Sequence, residues 1–210
     1  QLFNTGFKAT YVNCALATML GIGFAAQPFS LIQQLDTFAE IYRIVIVLEL
    51  APLISGVILI ARSATAVTSE VGHLQLRNEF EVLRAQGINP AFLLMLPIFF
   101  AFPISLLLMF IYFNAFALIG TALYIELFTH TSYGFFALLA AVLGNLGGLE
   151  LLTLIVKGVI GGVVIGLVSL HAGWQVGNRF TDIARAISSS TTSLLLLYFV
   201  LNFGLSLFAY

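Results

Sequence analysis

Ile41–Ala61 reads IYRIVIVLELAPLISGVILIA and continues without a break into Arg62–Pro90, RSATAVTSEVGHLQLRNEFEVLRAQGINP, after which Ala91–Ile119 is apolar again. Two apolar runs of bilayer length, about 20 residues each, thus flank a segment carrying Arg62, Arg77 and Arg84. That pattern describes two membrane-spanning helices joined at a membrane surface. The composition agrees: 60% of residues are hydrophobic, 8% are charged, and the mean hydropathy is +1.08. Soluble chains carry about 25% charge, so the solvent around most of this chain is lipid. A net charge of −1 leaves no basic footprint for nucleic acid. The apolar content excludes disorder. One cysteine, Cys14, excludes a disulfide framework or a cysteine-built metal site.

The expected fold is an all-α integral membrane protein, one transmembrane domain over residues 1–210. Spans are expected at about 7–26, 41–61, 91–119, 149–170 and 193–210. The chain starts at Gln1 rather than Met, read as a fragment or processed form. The first run is taken as a span rather than a signal peptide, because only Lys8 supplies a basic flank. Pro28 to Thr37 reads as a polar loop and Thr129 to Gly148 as a re-entrant or interfacial element. His171 to Ser190 reads as a polar connection. Arginines lie after the second span (Arg62, Arg77, Arg84) and after the fourth (Arg179, Arg185), while the third loop has no Lys or Arg. Loops two and four are therefore expected in the cytoplasm and the C-terminus outside. Arg43, at the outer end of span two, dissents.

Within the charged segment Leu76, Phe80 and Leu83 recur at helical spacing, and Arg77 and Glu81 form an i,i+4 pair beside Phe80 and Arg84. Gly87 suits a helix C′ position, and Asn89-Pro90 stops continuation. A short amphipathic helix over about 74–86 is expected at the cytoplasmic surface. Either its stripe packs under its own bundle, or it docks in a groove of a soluble partner and couples motion.

Glu49 lies mid-span, where a carboxylate costs roughly 2.5–3.5 kcal/mol on insertion scales. It is either protonated and hydrogen-bonded between helices or placed in a substrate cavity; Pro52 beside it breaks the backbone ladder. Lys157 either snorkels outward or pairs with Glu49 or Glu150. Gly158, Gly162 and Gly166 form a small-residue ridge that serves packing within the bundle or a subunit contact. His73, His130 and His171 are scattered and no catalytic motif is present, so no enzyme activity and no bound metal or cofactor is expected. Twenty Phe and Leu-rich spans suit a lipid-like passenger.

From Glu49 to Pro97 the sequence resembles the MlaE family, permease subunits of ABC systems that move lipids with MCE-domain proteins. The matching elements are Leu48-Glu49-Leu50-Ala51-Pro52, Ala61-Arg62-Ser63-Ala64, Ser69-Glu70-Val71-Gly72, Leu83, Gly87-Ile88-Asn89-Pro90 and Pro97. Farther on, Glu150, Lys157, Gly173 and Arg185-Ala186 resemble later family elements. Gly21 and Gln27 resemble the end of the family's first span, although Gln27 to Leu48 does not match in length. The chain departs where the family has arginine before the glutamate (Leu48 here), two further glycines around Arg62, and Glu-Gln in place of Asn78-Glu79.

The resemblance implies a multi-pass permease of a bacterial inner membrane, paired with a second permease, identical or a paralogue. It also implies a dimer of cytoplasmic ABC ATPase subunits that hold ATP and Mg, and a periplasmic MCE-domain hexamer. Phospholipid would occupy a cavity near Glu49, Leu48, Pro52 and Gln27. Leu76, Arg77, Glu79, Phe80, Glu81, Leu83 and Arg84 would couple to the ATPase, while Arg62, Glu70, Gly72, Gly87, Asn89, Pro90, Lys157 and Arg185 would be structural. The alternatives are a solute-importing ABC permease and a non-transporting membrane scaffold.

Overall fold

The computed structural model describes residues 2–26, 35–128, 135–144, 146–177 and 179–209. All regular structure among them is helical, as expected. Helix α1 is Leu2–Ala26 and α2 runs unbroken over residues 35–76. The short α3 is Glu79–Ala85, followed by α4, Pro90–Phe128, and α5, Phe135–Gly144. Helices α6, Gly148–Trp174, and α7, Phe180–Ala209, complete the chain. Helices α2, α4, α6 and α7 are long and apolar enough to cross a bilayer; Thr10–Ala26 and Phe135–Gly144 are shorter apolar helices.

Several helices extend past the apolar runs that announce them. The polar run before residue 193 is helix rather than connection, and its hydroxyls explain why. Ser190 and Thr191 donate to the Ile187 carbonyl at 3.1 and 2.7 Å, and Thr192 donates to the Ser188 carbonyl at 3.1 Å. Such back-bonding satisfies side chains on the helix's own backbone. Helix α2 reaches seven turns or more beyond Glu49 by the same economy: Thr65 donates to the Ala61 carbonyl and Thr68 to the Ala64 carbonyl.

Helix α2 is the central strut. Over its most apolar window 56% of residues are buried, against 35%, 33% and 22% for α4, α6 and α7. It packs on α1, α4, α6 and α7. Two apolar clusters fill the bundle. One lies around Phe38, Tyr42, Ile46, Phe113 and Leu138. The other joins Ile60, Leu106, Ile165, Leu194 and Tyr198 and extends to Phe80, toward the end that carries most of the arginines. Outside the bundle Phe100, Ile111, Leu196 and Phe203 are exposed, an apolar rim suited to hydrocarbon.

Glycine sets the helix spacing. A Cβ on Gly21 would sit 2.1 Å from the Ala117 carbonyl oxygen, and one on Gly120 2.4 Å from the Thr18 carbonyl oxygen. Thr121 fixes this α1–α4 crossing by donating to the Gly21 carbonyl at 3.0 Å. Along α6 the ridge faces α4: Gly158 meets Leu107, Gly162 meets the backbone of Pro103, and Gly166 meets Ile98 and Phe102. The ridge therefore packs within the bundle. Where lipid removes any hydrophobic drive, such close backbone approach holds helices together. A buried polar clamp adds to it: Asn13 donates to the Met109 carbonyl at 2.9 Å and accepts from Ser55 at 3.1 Å, tying α1, α2 and α4.

Two glycines on one helix test this. Gly21→Ala should destabilise the fold by about 1–3 kcal/mol, as overpacking does. Gly23→Ala, whose Cβ would meet nothing within 4 Å, should leave it unchanged or slightly more stable. Thermal unfolding of the purified variants in mild detergent distinguishes the two outcomes.

Candidate functional site

Helix α2 is not α-helical throughout. Arg43–Leu50 and Ile60–Ala64 are π-helical, with α-helix before, between and after them. Pro52 follows the first π segment and has no N–H to offer the Leu48 carbonyl four residues back. That carbonyl instead accepts from Lys157 Nζ at 2.9 Å. The same ammonium donates to Glu49 Oε1 at 3.3 Å and to Ser206 Oγ at 2.7 Å. Lysine has three N–H donors and no acceptor, so three acceptors from α2 and α7 saturate it. Ser206 Oγ lies 2.7 and 2.9 Å from the two Glu49 carboxylate oxygens, to which its hydroxyl donates. Lys157 is thus buried, 3% exposed, and does not snorkel; its ion pair with Glu49 holds it in place. The Glu49 side chain remains 34% exposed, so the cluster opens on that one side.

A second ionic rung lies one to two turns away. Arg43 Nη1 donates to Glu150 Oε1, and Glu150 Oε2 also accepts from the Gly147 backbone N–H at 3.1 Å, capping α6. The dissenting Arg43 is therefore neutralised, which explains an arginine at the end with few cations. Arg43 with Glu150, and Glu49 with Lys157, fix α2 and α6 in one parallel register. Toward the other end Thr68 donates to the Ser169 carbonyl at 3.0 Å, and a Cβ on Gly173 would meet Val71 and the Thr68 carbonyl within 3 Å.

Of the residues expected around a cavity, Glu49 alone presents an open face among those described. The Leu48 side chain is 5% exposed and belongs to the core, so its part in the site is the carbonyl. Pro52 is buried, and its carbonyl accepts from the Tyr198 hydroxyl at 2.6 Å. Gly56 makes room for that ring: a Cβ there would lie 2.1 Å from it. Gln27 lies outside the described residues. Asn202, one helical turn before Ser206, is 5% exposed, and its Oδ1 has no hydrogen-bond partner among the described residues. Sequence reasoning missed Ser206, Tyr198, Asn202 and the Asn13–Ser55 clamp. Their signal was a polar side chain in an apolar run, which no periodicity marks.

The surface helix differs from the expected 74–86 element. Leu76 is the last residue of α2, and the chain turns at Arg77 and Asn78, the latter left-handed at φ 55°. Only Glu79–Ala85 forms α3, which Gly87 ends at φ 77°. Pro90 opens α4, where a missing N–H goes unnoticed. Arg77 pairs with Glu79 at 3.7 Å rather than with Glu81. The apolar stripe turns inward. Phe80 is 4% exposed with its ring centroid 5.6 Å from that of Trp174, and Leu83 packs against the same core. Phe80 is thus buried under its own bundle and offers no outward anchor, while Leu83 is half-buried against the same core. The outward side carries Glu81, Val82, Arg84, Ala85 and Ile88.

Remaining motif residues scatter around this hairpin. Gly72 is buried, its absent Cβ 3.0 Å from Val176, while Glu70 is exposed and Arg62 half-buried. Arg185 is exposed, 3.8 Å from Asp182.

Compared with known families, the sequence matches the one described as Permease MlaE over residues 1–208. No curated protein matches the chain.

A double-mutant cycle tests the polar cluster. Glu49→Gln and Lys157→Met should each lower thermal stability. The combined variant should lose less than the sum, with a coupling of about 1–2 kcal/mol. Strict additivity would show that the pair does not interact.

Proposed function

The chain belongs to the permease MlaE family, which makes it the permease subunit of an ABC transporter, and from that premise we propose that its cargo is phospholipid. In this reading two permease copies, identical or paralogous, pair with a cytoplasmic dimer of ATP-binding subunits. Lipid passes between a bacterial inner membrane and a periplasmic MCE-domain hexamer that leads toward the outer membrane. ATP hydrolysis resides in the separate subunits. The Arg-rich end, with α3, faces the cytoplasm by the distribution of Lys and Arg.

One observation carries the reading: a single unbroken helix joins Glu49 to the α3 hairpin. From Glu49 to Leu76 is about 40 Å at 1.5 Å per residue. A rigid strut of that length, central in the bundle, delivers displacement of α3 to the polar cluster. There the partly open Glu49 carboxylate, with Ser206, Asn202 and the Lys157 charge behind it, meets a headgroup at the edge of an apolar wall. Transport requires that the lipid be bound unequally in the two shapes of this region, and the strut supplies the means of changing shape. The π-helical segments Arg43–Leu50, which holds Glu49, and Ile60–Ala64 are where such a helix most readily changes its coil, consistent with the recurrence of π turns at functional sites.

Docking on the ATPase falls to the outward side of α3. Val82→Asp should reduce recovery of the ATP-binding subunit by about tenfold or more, equivalent to ~1.4 kcal/mol, with an unaltered elution profile of the permease. Phe80→Ala should lower stability instead. Glu49→Gln, which keeps the side-chain shape, should lower lipid transfer between labelled vesicles several-fold in complexes that still assemble. Full ATPase recovery by Val82→Asp would move docking off this side of α3, unchanged transfer by Glu49→Gln would take Glu49 out of the lipid path, and a complex that transfers no lipid would point to a scaffold.

A further inference from the structure

A cavity of about 660 Å³ lies between the last turns of α2 and the first turns of α4, well away from Glu49 in sequence and position. Its volume falls in the ~300–1,000 Å³ range of ligand sites. Its walls differ in chemistry. Glu70, His73, Arg77 and Glu79 come from the end of α2, the turn after it and α3, whereas the α4 wall of Leu94, Pro97, Ala101 and Phe102 is apolar. From Leu94 to Phe102 the wall runs about 12 Å along α4, at 1.5 Å per residue. That length is close to the ~15 Å hydrocarbon depth of one leaflet. Arg77 and Glu79 belong to the surface hairpin that precedes α4, at the level of a headgroup. A water-soluble ligand would leave the apolar wall unused, whereas a lipid uses both parts.

The charges select among headgroups. Arg77 already pairs with Glu79 at 3.7 Å, and Glu70 has no counterpart cation along the cavity lining. The lining carries two carboxylates against one guanidinium, so a purely anionic headgroup meets net repulsion. A zwitterion with a primary ammonium satisfies both signs. Its three N–H donors reach Glu70, and its phosphate reaches Arg77, in charge-assisted hydrogen bonds. A quaternary ammonium has no N–H to donate.

We propose that this cavity is a lipid-binding site, distinct from the one at Glu49, that takes the headgroup and upper chain of a zwitterionic phospholipid bearing a primary amine. The occupant wedges between the end of α2 and the start of α4, the two helices that emerge from the α3 hairpin. Its presence therefore stiffens the junction through which α3 and α2 communicate. The site needs only a bilayer around the chain and stands apart from the reading of the cargo.

The test reconstitutes the complex in nanodiscs of phosphatidylcholine, phosphatidylethanolamine and phosphatidylglycerol in equal parts. Retained lipids are then counted by native mass spectrometry after mild extraction. The expected result is several-fold enrichment of phosphatidylethanolamine over the other two. Glu70→Gln should level that preference, and Ala101→Phe, which fills the apolar part, should remove one retained lipid per chain. Lipid lost in Glu49→Gln but kept in Ala101→Phe belongs to the other site and is counted separately. Equal retention of the three lipids, preference for phosphatidylglycerol, or an unchanged count in Ala101→Phe would each overturn the proposal.

Discussion

An ammonium group inside an apolar bundle has to be saturated by hydrogen-bond acceptors, and the arrangement of this protein follows from how Lys157 achieves that. Its acceptors come from α2 and α7, while the lysine belongs to α6. Three helices are thus obliged to meet at one point, at one depth. Breaking any contact leaves a charge or a carbonyl exposed to a medium of low dielectric, a far larger penalty than losing a surface pair. The Leu48 carbonyl is available because Pro52 cannot bond it, so the proline and the lysine form a single device. The second rung, Arg43 with Glu150, removes the remaining freedom of α2 to slide along α6.

Packing then does what hydrophobicity cannot do in lipid. The clusters of the interior are apolar, but so is the surroundings' own chemistry, and burial alone selects no partner helix. Selection comes from shape: Gly21 against Ala117, Gly120 against Thr18, Gly162 against Pro103, each a place where only hydrogen fits. Added to them are the few polar groups that find one another across helices, among them Asn13 with Ser55 and Tyr198 with the Pro52 carbonyl. The result keeps α2 at the centre and gives it two tasks, a polar cluster within the span and a surface hairpin at its end.

Much of this was legible in the order of residues. Helix type, the bilayer as solvent, the special standing of Glu49 and Lys157, and the presence of a short surface helix ending before Pro90 all follow from apolar run length, charge placement and turn residues. Other features were not. Hydropathy underestimates helices that extend past the apolar run, so α7 appeared to begin at residue 193 although hydroxyl back-bonding carries it from Phe180. The stripe Leu76, Phe80, Leu83 was visible, but amphipathicity says only that a face is covered, not by what; Trp174, some ninety residues later, covers Phe80. Ser206 and Tyr198 acquire meaning only once α7 lies beside α2, and no local pattern reports that adjacency.

The wide-coil segments of α2 have a further bearing. A π-helical stretch shifts the angular phase of everything that follows, so a helical-wheel projection drawn across all of residues 35–76 assigns faces wrongly from Arg43 onward. Each such stretch is also a reservoir of length. A chain that gains or loses one residue there can change coil type locally while Pro52 and the helix beyond keep their facing.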